Sequence, residues 1–220
     1  RFTDVALSHL TQLVEAADTF CDPCACGQSR HYTNGTYLWG HGIGAWDRYD
    51  GNADTLGWDS DFYGTVMGLD ACYGDMFYGI SAGYASQTVN FNEVDAYSNN
   101  DYFNLNLYGG YESCGWFANG GAGFTYAWNH MHRRIRFGEI NRTADGTPDT
   151  PIASGFLYGG RRYILGNCRL TPMIGVRAAT GNVDGFSETG ADSLNLVVSS
   201  YHRNSAVAEI GTRFSWFIQQ

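Results

Sequence analysis

The chain has 220 residues with a formal net charge of −9, and hydrophobic residues make up 44% of it. The negative charge argues against a nucleic-acid partner, which would need a basic surface, and the hydrophobic content argues against disorder. No run of about 18 apolar residues is present, so the sequence contains no candidate transmembrane helix. Because residue 1 is Arg and no signal-peptide pattern follows it, we expect a processed product or a fragment.

Residues 1–20 are predicted to form an α-helix. Thr3 and Asp4 suit the start of a helix. Apolar side chains then recur at spacings near three and four, which is the helical period: Val5, Leu10, Leu13, Val14 and Ala17. The period ends there, and residues 21–35, which include CDPCACG, are predicted to be a linker.

Residues 36–220 are predicted to form an all-β domain, because the apolar period in this part of the chain is two. Long segments alternate along most of its length, separated by residues typical of turns. We predict nine antiparallel strands that follow one another as a meander: 36–47, 59–71, 75–91, 99–112, 115–136, 151–164, 167–180, 193–200 and 204–218.

The strand at 115–136 shows what this alternation implies. In FANGGAGFTYAW, one set of side chains, from Ala118 to Trp128, is mostly apolar, and the other, from Asn119 to Ala127, is mostly small or polar. Successive side chains of a strand point to opposite faces. A soluble sandwich or barrel would turn the apolar set towards a core, whereas an outer-membrane barrel would turn it towards lipid and the other set towards a lumen.

Four features favour the outer-membrane barrel. The predicted strands often exceed ten residues, against a usual length of about five or six. Aromatic residues crowd the strand ends, as at a membrane interface. The face opposite the apolar set has no Lys, unlike a soluble exterior. Short connections at 72–75, 113–116 and 166–169 alternate with long ones such as 137–151, which is the pattern of periplasmic turns and extracellular loops.

Seven segments, in this order, resemble the translocator β-domain of bacterial autotransporters, the type V secretion proteins: YLWGHGIGAW (37–46), GTVMGLD (64–70), YGISAGYA (78–85), NLYGGY (106–111), RRIRFGEINRTA (133–144), LTPMIGVR (170–177) and DGFSETGADSLNLVV (184–198). The resemblance implies a twelve-stranded β-barrel in the bacterial outer membrane, with a lumenal α-helix that links it to a secreted passenger. We assign that helix to residues 1–20, as a plug or linker. Since nine strands are fewer than twelve, either C-terminal strands are missing from this chain or the barrel closes differently.

The resemblance also implies a function and partners. A translocator exports an N-terminal passenger, anchors it, or does both, and the passenger is covalently linked or cleaved. The alternative is a structural or pore-forming outer-membrane barrel, which acts as an envelope scaffold or as a subunit of a larger assembly with other envelope proteins. Outer-membrane lipid is a partner in both cases. EIGTRFSW (209–216) resembles the signal for the outer-membrane assembly machinery, although any alternating strand gives the same layout.

Two groups of lumen-facing residues are predicted. Unpaired charges in a confined interior are costly, so we expect the charged group to pair internally or with the helix. Inward glycines either leave room for the lumenal helix or relieve the curvature of a closing sheet. The charged group is Asp70, Arg177, Glu209 and Arg213, and the helix-accommodating glycines are Gly40, Gly42, Gly44, Gly121 and Gly123.

The six cysteines are candidates for disulfides, because the periplasm is oxidising. Three of them lie in short turns at one end of the predicted barrel, and the chain enters the first strand at that same end. We predict bridges from the N-terminal group to the turn group, with local pairing within the N-terminal group as the alternative. The groups are Cys21, Cys24 and Cys26, and Cys72, Cys114 and Cys168.

We expect no enzymatic activity, no metal and no cofactor. The histidines are scattered, and neither a nucleophile elbow nor an HExxH motif occurs. The spacing C-x₂-C-x-C lacks a fourth zinc ligand. His130 and His132 would share one strand face as a metal pair, but a solvated loop base is the simpler interpretation.

Overall fold

The computed structural model describes residues 32–52, 56–92 and 94–216. No helix in this part of the chain is long and apolar enough to cross a membrane. The predicted helix at 1–20 and most of the predicted linker lie outside the described residues. The strands are β1 (Tyr32–Tyr49), β2 (Trp58–Gly74), β3 (Met76–Phe91), β4 (Ala96–Ser113), β5 (Trp116–Phe137), β6 (Ile140–Gly146), β7 (Asp149–Arg161), β8 (Tyr163–Leu165), β9 (Cys168–Val183), β10 (Phe186–Ser187), β11 (Val197–Val198) and β12 (Tyr201–Trp216).

The sheet is an antiparallel meander, as the sequence predicts. Its order is β1-β2-β3-β4-β5-β7-β9-β12, so each strand pairs with its neighbours along the chain. β6 pairs with the far end of β5, and β8 pairs with the beginning of β9. β6, β7 and β8 therefore together fill one strand position between β5 and β9. The sheet therefore has eight strand positions in the described part of the chain.

Three two-residue turns connect strands at one end of the sheet, where the sequence predicts short connections. Cys114 and Gly115 have φ angles of 49° and 78°, which is the type I′ geometry of a tight hairpin. The other two turns begin with Gly74 and Gly166, each with a positive φ. Glycine permits this backbone without a steric penalty, so the local sequence fixes the register of these hairpins.

Two segments differ from their predictions. The predicted strand at 193–200 contains a 3₁₀ helix, Asp192–Leu194, and the two-residue strand β11, which pairs only with β10. The predicted long loop at 137–151 is a two-residue turn at Gly138 followed by β6, so β5 and β6 form a projecting hairpin. Both errors arise where the chain extends beyond the main sheet, so that alternation in the sequence no longer reports pairing with that sheet.

The two faces of the sheet differ sharply in exposure. One face, the outward face, carries large exposed apolar side chains such as Tyr63, at 64% exposure, and Leu107, at 63%. The other, the inward face, carries buried residues such as Asp70, at 1%, and Tyr108. Trp39 on β1 bonds to Tyr108 on β4 although two strands lie between them, so the sheet curves towards the inward face.

Inward glycines lie opposite inward aromatic rings on neighbouring strands. A Cβ atom at any of six such glycines would lie only 2.2–2.8 Å from the facing ring. The glycines therefore let each ring lie flat across the adjacent strand, which is how aromatic residues rescue strand glycines. The register pairs are Trp39–Gly68, Phe77–Gly110, Tyr108–Gly79, Phe117–Gly160, Phe156–Gly121 and Tyr158–Gly175.

The helix-accommodating role is wrong for the three glycines of β1. Gly40, Gly42 and Gly44 are exposed and pair with Met67, Thr65 and Tyr63 of the outward face. Trp39 and Ile43 of β1 take inward positions and pack with β2. Gly121 and Gly123 do face inward, but Phe156 and Asn106 of the adjacent strands occupy the space beside them.

Candidate functional site

Three side chains on the inward face form a hydrogen-bonded group near the short turns. Trp39 Nε1 donates to Asp70 Oδ1 at 3.1 Å and to the Tyr108 hydroxyl at 2.9 Å. The Tyr108 hydroxyl donates to the same Asp70 oxygen at 2.5 Å. A buried carboxylate is costly unless it is hydrogen-bonded, and these two donors offset that cost. The group ties β1, β2 and β4 together across the inward face.

A ladder of amide and hydroxyl groups continues from this group across β3, β4 and β5. Asn106 Nδ2 donates to Ser81 Oγ at 3.1 Å and to Asn104 Oδ1 at 2.5 Å. Asn104 Nδ2 donates to Thr125 Oγ1 at 2.8 Å. Asn104, Asn106 and Ser81 are all buried. The inward face is thus polar as well as buried, which sets it apart from an ordinary hydrophobic core.

The inward face also carries two ion pairs, which involve the strands from β4 to β12. Arg162 pairs with Glu112, and both are buried. Removing one member of a buried pair typically costs about 3–5 kcal/mol, because the other charge is left uncompensated. Arg177 pairs with Glu209, whose second oxygen accepts a bond of 2.6 Å from the Tyr158 hydroxyl.

All four predicted lumen-facing charged residues lie on the inward face. Asp70 belongs to the group with Trp39 and Tyr108, and Arg177 and Glu209 pair with each other. Arg213 lies opposite the buried Thr171 in the register of β9 and β12. The predicted contacts between these charges and residues 1–20 lie outside the described residues.

A second feature, the loop cap, consists of residues 184–200 packed on the β5–β6 hairpin. Residues Asp145 and Thr189 exchange two backbone hydrogen bonds of 2.9 Å, so the cap extends the edge of β6. Phe186 lies over Gly146, and Ala191 is completely buried. Gly190 has a φ of 96°, and a Cβ there would lie 2.5 Å from the Thr143 carbonyl oxygen, so only glycine fits.

Two arginines of the hairpin hold the loop cap in place. Arg133 donates two hydrogen bonds to the Glu188 carboxylate, at 3.1 and 2.5 Å, and a third to the Leu194 carbonyl. Arg142 donates to the Ala191 carbonyl at 2.9 Å and pairs with Asp192 at 3.1 Å. Bidentate arginine–carboxylate pairs fix orientation as well as supplying energy.

The Arg133–Glu188 pair also sets the ionisation of both groups. Hydrogen bonding to Arg133 lowers the pKa of Glu188 below its ordinary value, more strongly than partial burial raises it. The same bond raises the pKa of Arg133. Both groups are therefore charged at neutral pH.

The three turn cysteines are free thiols in the structure: Cys72 and Cys168 are buried and Cys114 is exposed. The predicted disulfides from these residues are not supported. The proposed partners, Cys21, Cys24 and Cys26, lie outside the described residues. The short turns hold Cys114 in a strained positive φ for reasons of hairpin geometry alone.

The two histidines of the β5–β6 hairpin have different surroundings. His132 bonds to Asp145 and stacks on Tyr97 with ring centroids 4.6 Å apart, while His130 is exposed. Among the described residues, no three His, Cys, Asp or Glu side chains are grouped as metal ligands.

Comparison with known proteins identifies the fold and the family. The family described as the autotransporter beta-domain matches residues 38–220. The chain belongs to the autotransporter β-domain family. The structure is similar to the translocator domain of autotransporter NalP from Neisseria meningitidis, with a TM-score of 0.72 and 15% identity over 98% of this chain and 73% of that one.

Other comparisons add little to this assignment. The β-domain of the Bordetella autotransporter Brka aligns with a TM-score of 0.37 and 14% identity, over 81% of this chain and 96% of that one. No curated protein matches the sequence.

The autotransporter β-domain is a barrel of the bacterial outer membrane that exports a passenger attached at its N-terminal side. The outward face described above is therefore the lipid-facing surface. Because outer-membrane barrels have short periplasmic turns, we expect the short turns at the periplasmic end and the β5–β6 hairpin with the loop cap at the extracellular end. The resemblance recognised in the sequence is confirmed.

The sequence reasoning missed the residues that organise both features. The prediction placed Trp39 among the aromatic residues of the membrane interface, whereas the structure turns it inward, and it gave Tyr108 no partner, although an inward glycine lies in register with each ring. The Arg133–Glu188 pair was also missed, although both residues fall in segments that carried the family resemblance. Spacing along the chain cannot reveal a contact between residues 55 positions apart.

Proposed function

We propose that this autotransporter β-domain conducts its passenger along the polar inward face and then holds the connecting segment there. The hydrogen-bonded ladder formed by Asn104, Asn106 and Ser81 supports the proposal. A polypeptide that crosses a membrane needs polar partners for its backbone groups, because lipid cannot supply them. Residues 1–20 are the proposed connecting segment, as a helix in the lumen. The domain itself is proposed to be non-catalytic.

An export assay tests the proposal. An epitope-tagged passenger is fused ahead of residue 1 behind a signal peptide, and surface exposure of the tag is measured with antibody on intact cells. We expect a surface-exposed tag. A folded barrel whose tag remains in the periplasm would favour the alternative function, a structural or pore-forming barrel of the envelope.

Two variants at adjacent residues, one on each face, test whether the inward face is the path of export. Asn106→Leu removes two inward hydrogen bonds, whereas Leu107→Ala changes an exposed side chain of the outward face. We expect slower export in Asn106→Leu and near-normal export in Leu107→Ala, with heat-dependent mobility on gels confirming that both barrels fold. Equal export by the two variants would count against the inward face as the path.

The outer-membrane assembly machinery is a further proposed partner, acting on β12. The exposed residues Phe214 and Trp216 alternate with Arg213 and Ser215 in the segment EIGTRFSW. Phe214→Ala should slow the appearance of heat-resistant barrel after a pulse of synthesis, whereas Ile210→Ala on the same strand should not. An unchanged rate of assembly in Phe214→Ala would show that this segment is not the assembly signal.

A further inference from the structure

Arg161 lies on the outward face at the periplasmic end of the barrel. It pairs in register with Trp116, the first residue of β5 after the turn. The next residue, Arg162, is fixed inward by its buried pair with Glu112 and by a 2.7 Å backbone bond to Gly115. Alternation along the strand therefore turns Arg161 towards the membrane.

Two aromatic rings flank the Arg161 guanidinium. Its Cζ atom lies 5.1 Å from the ring centroid of Trp116 and 5.1 Å from that of Tyr163. Both rings are exposed on the outward face. Cation–π contact with two rings holds the guanidinium in place, and it leaves the N–H groups at the edge of its plane directed away from the rings.

No other charge lies on the outward face at this level, in the part of the chain that the structure describes. The neighbouring outward positions are apolar or aromatic: Tyr73, Met76, Tyr111, Leu165, Leu170 and Phe214. Among the described residues Arg161 also forms no ion pair. Its positive charge therefore has no counterpart within the described protein.

The position of Arg161 in the membrane determines which anion it meets. A charged side chain on the lipid face costs about 2–4 kcal/mol at the bilayer midplane and about 0–1 kcal/mol near the interface. Arg161 is level with the periplasmic turns, and its two rings are of the kind that mark the interface. The anion found at that depth is the phosphate of a lipid headgroup.

We propose that Arg161, Trp116 and Tyr163 form a binding site for the phosphate group of a phospholipid in the periplasmic leaflet. The guanidinium matches a phosphate with two parallel hydrogen bonds, and the rings exclude water from one side of it. The outward positions next along the strands are small, Ala118 and Gly159, so an acyl chain can lie flat beside the headgroup site. This site goes beyond passenger export and is independent of it.

Lipid titration of the purified full chain tests the site. Phosphatidylglycerol is added to the delipidated barrel in detergent, and native mass spectrometry counts the bound molecules. Arg161→Gln should weaken binding about tenfold, since it removes a charge-assisted pair. Arg203→Gln is the matched control, because Arg203 also lies over a tyrosine ring, that of Tyr201, but at the extracellular end. It should bind like the parent protein.

Two further probes separate lipid from other sources. Diacylglycerol with the same acyl chains lacks the phosphate and should bind weakly, and inorganic phosphate should not compete with the lipid. Equal binding by Arg161→Gln and the parent, equal binding of diacylglycerol, or full competition by inorganic phosphate would each overturn the proposal.

Two other variants keep the test valid if Arg161→Gln fails to fold. Arg161→Lys keeps the charge but loses the planar fork, and Trp116→Leu removes one flanking ring. Each should give a loss of affinity smaller than that of Arg161→Gln, with heat-dependent mobility reporting the folded barrel. Affinity equal to the parent in both folded variants would rule out the site as described.

Discussion

Inward glycines set the packing of the sheet at the scale of single residues. A Cβ at Gly79 would lie 2.3 Å from Asp70 Oδ1 and 2.5 Å from the Tyr108 ring, so Gly79→Ala must displace the group that ties β1, β2 and β4. We expect a loss of about 1–3 kcal/mol from overpacking, seen as a lower temperature for loss of heat-resistant mobility. Gly42→Ala is the matched control, since nothing lies within 4 Å of a Cβ there. Similar losses in both variants would mean that inward packing does not limit stability.

The same residues show how far sequence reasoning reaches. Alternation assigned the faces of β2–β5 correctly, because most large apolar side chains of these strands repeat on the outward face, and the inward face carries mainly glycine and polar residues between a few rings. On β1 it failed, because glycines occupy one face and Trp39 and Ile43 the other, and a membrane barrel permits bulky residues on either side. The identity of the ring facing each glycine depends on the register between neighbouring strands, which side-chain alternation within each strand does not specify.

At the scale of elements, one bidentate charged pair contributes to holding the loop cap on the β5–β6 hairpin. Glu188→Gln keeps the shape of the side chain but removes the charge held by two hydrogen bonds from Arg133. We expect faster protease cleavage within residues 184–200 on intact cells, because the cap separates from the β5–β6 hairpin more often. Glu139→Gln, in the exposed turn of that hairpin, is the control and should leave cleavage unchanged. Resistance equal to the parent in Glu188→Gln would show that backbone pairing alone holds the cap.

The ionisation of Glu188 predicts how the loop cap responds to acid. Arg133 lowers the pKa of Glu188 below the ordinary value of 4.5, so the folded state favours the ionised carboxylate. Stability from a lowered pKa is complete above the unfolded value and is lost as pH falls through the folded one. Cleavage of the cap should therefore be constant above about pH 5 and rise below pH 4.5 in the parent. In Glu188→Gln this rise should be much smaller.

At the scale of the whole molecule, the sequence predicted the strands of the main sheet better than the structure of the β5–β6 hairpin and the loop cap. Period-two alternation and short turns are local signals, and they sufficed for an antiparallel barrel of the outer membrane. The sequence predicts a loop where β6 lies and a strand of the main sheet at 193–200, because both segments lie beyond the main sheet, where alternation in the sequence does not report strand pairing. Contacts between the hairpin and the cap join distant segments, so only the folded chain brings their residues together.

The orientation of the barrel makes a prediction about the molecule as a whole. The two-residue turns should face the periplasm and the β5–β6 hairpin the outside, because outer-membrane barrels have short periplasmic turns and longer extracellular segments. A membrane-impermeant thiol reagent should label Glu139→Cys on intact cells. The native Cys114, exposed in its turn, should be labelled only after the outer membrane is permeabilised. Cys72 is buried and should react slowly in both states, which makes it the internal control when labelled peptides are mapped by mass. Labelling of Cys114 on intact cells would show that the barrel has the opposite orientation. The Arg161 site would then lie in the outer leaflet.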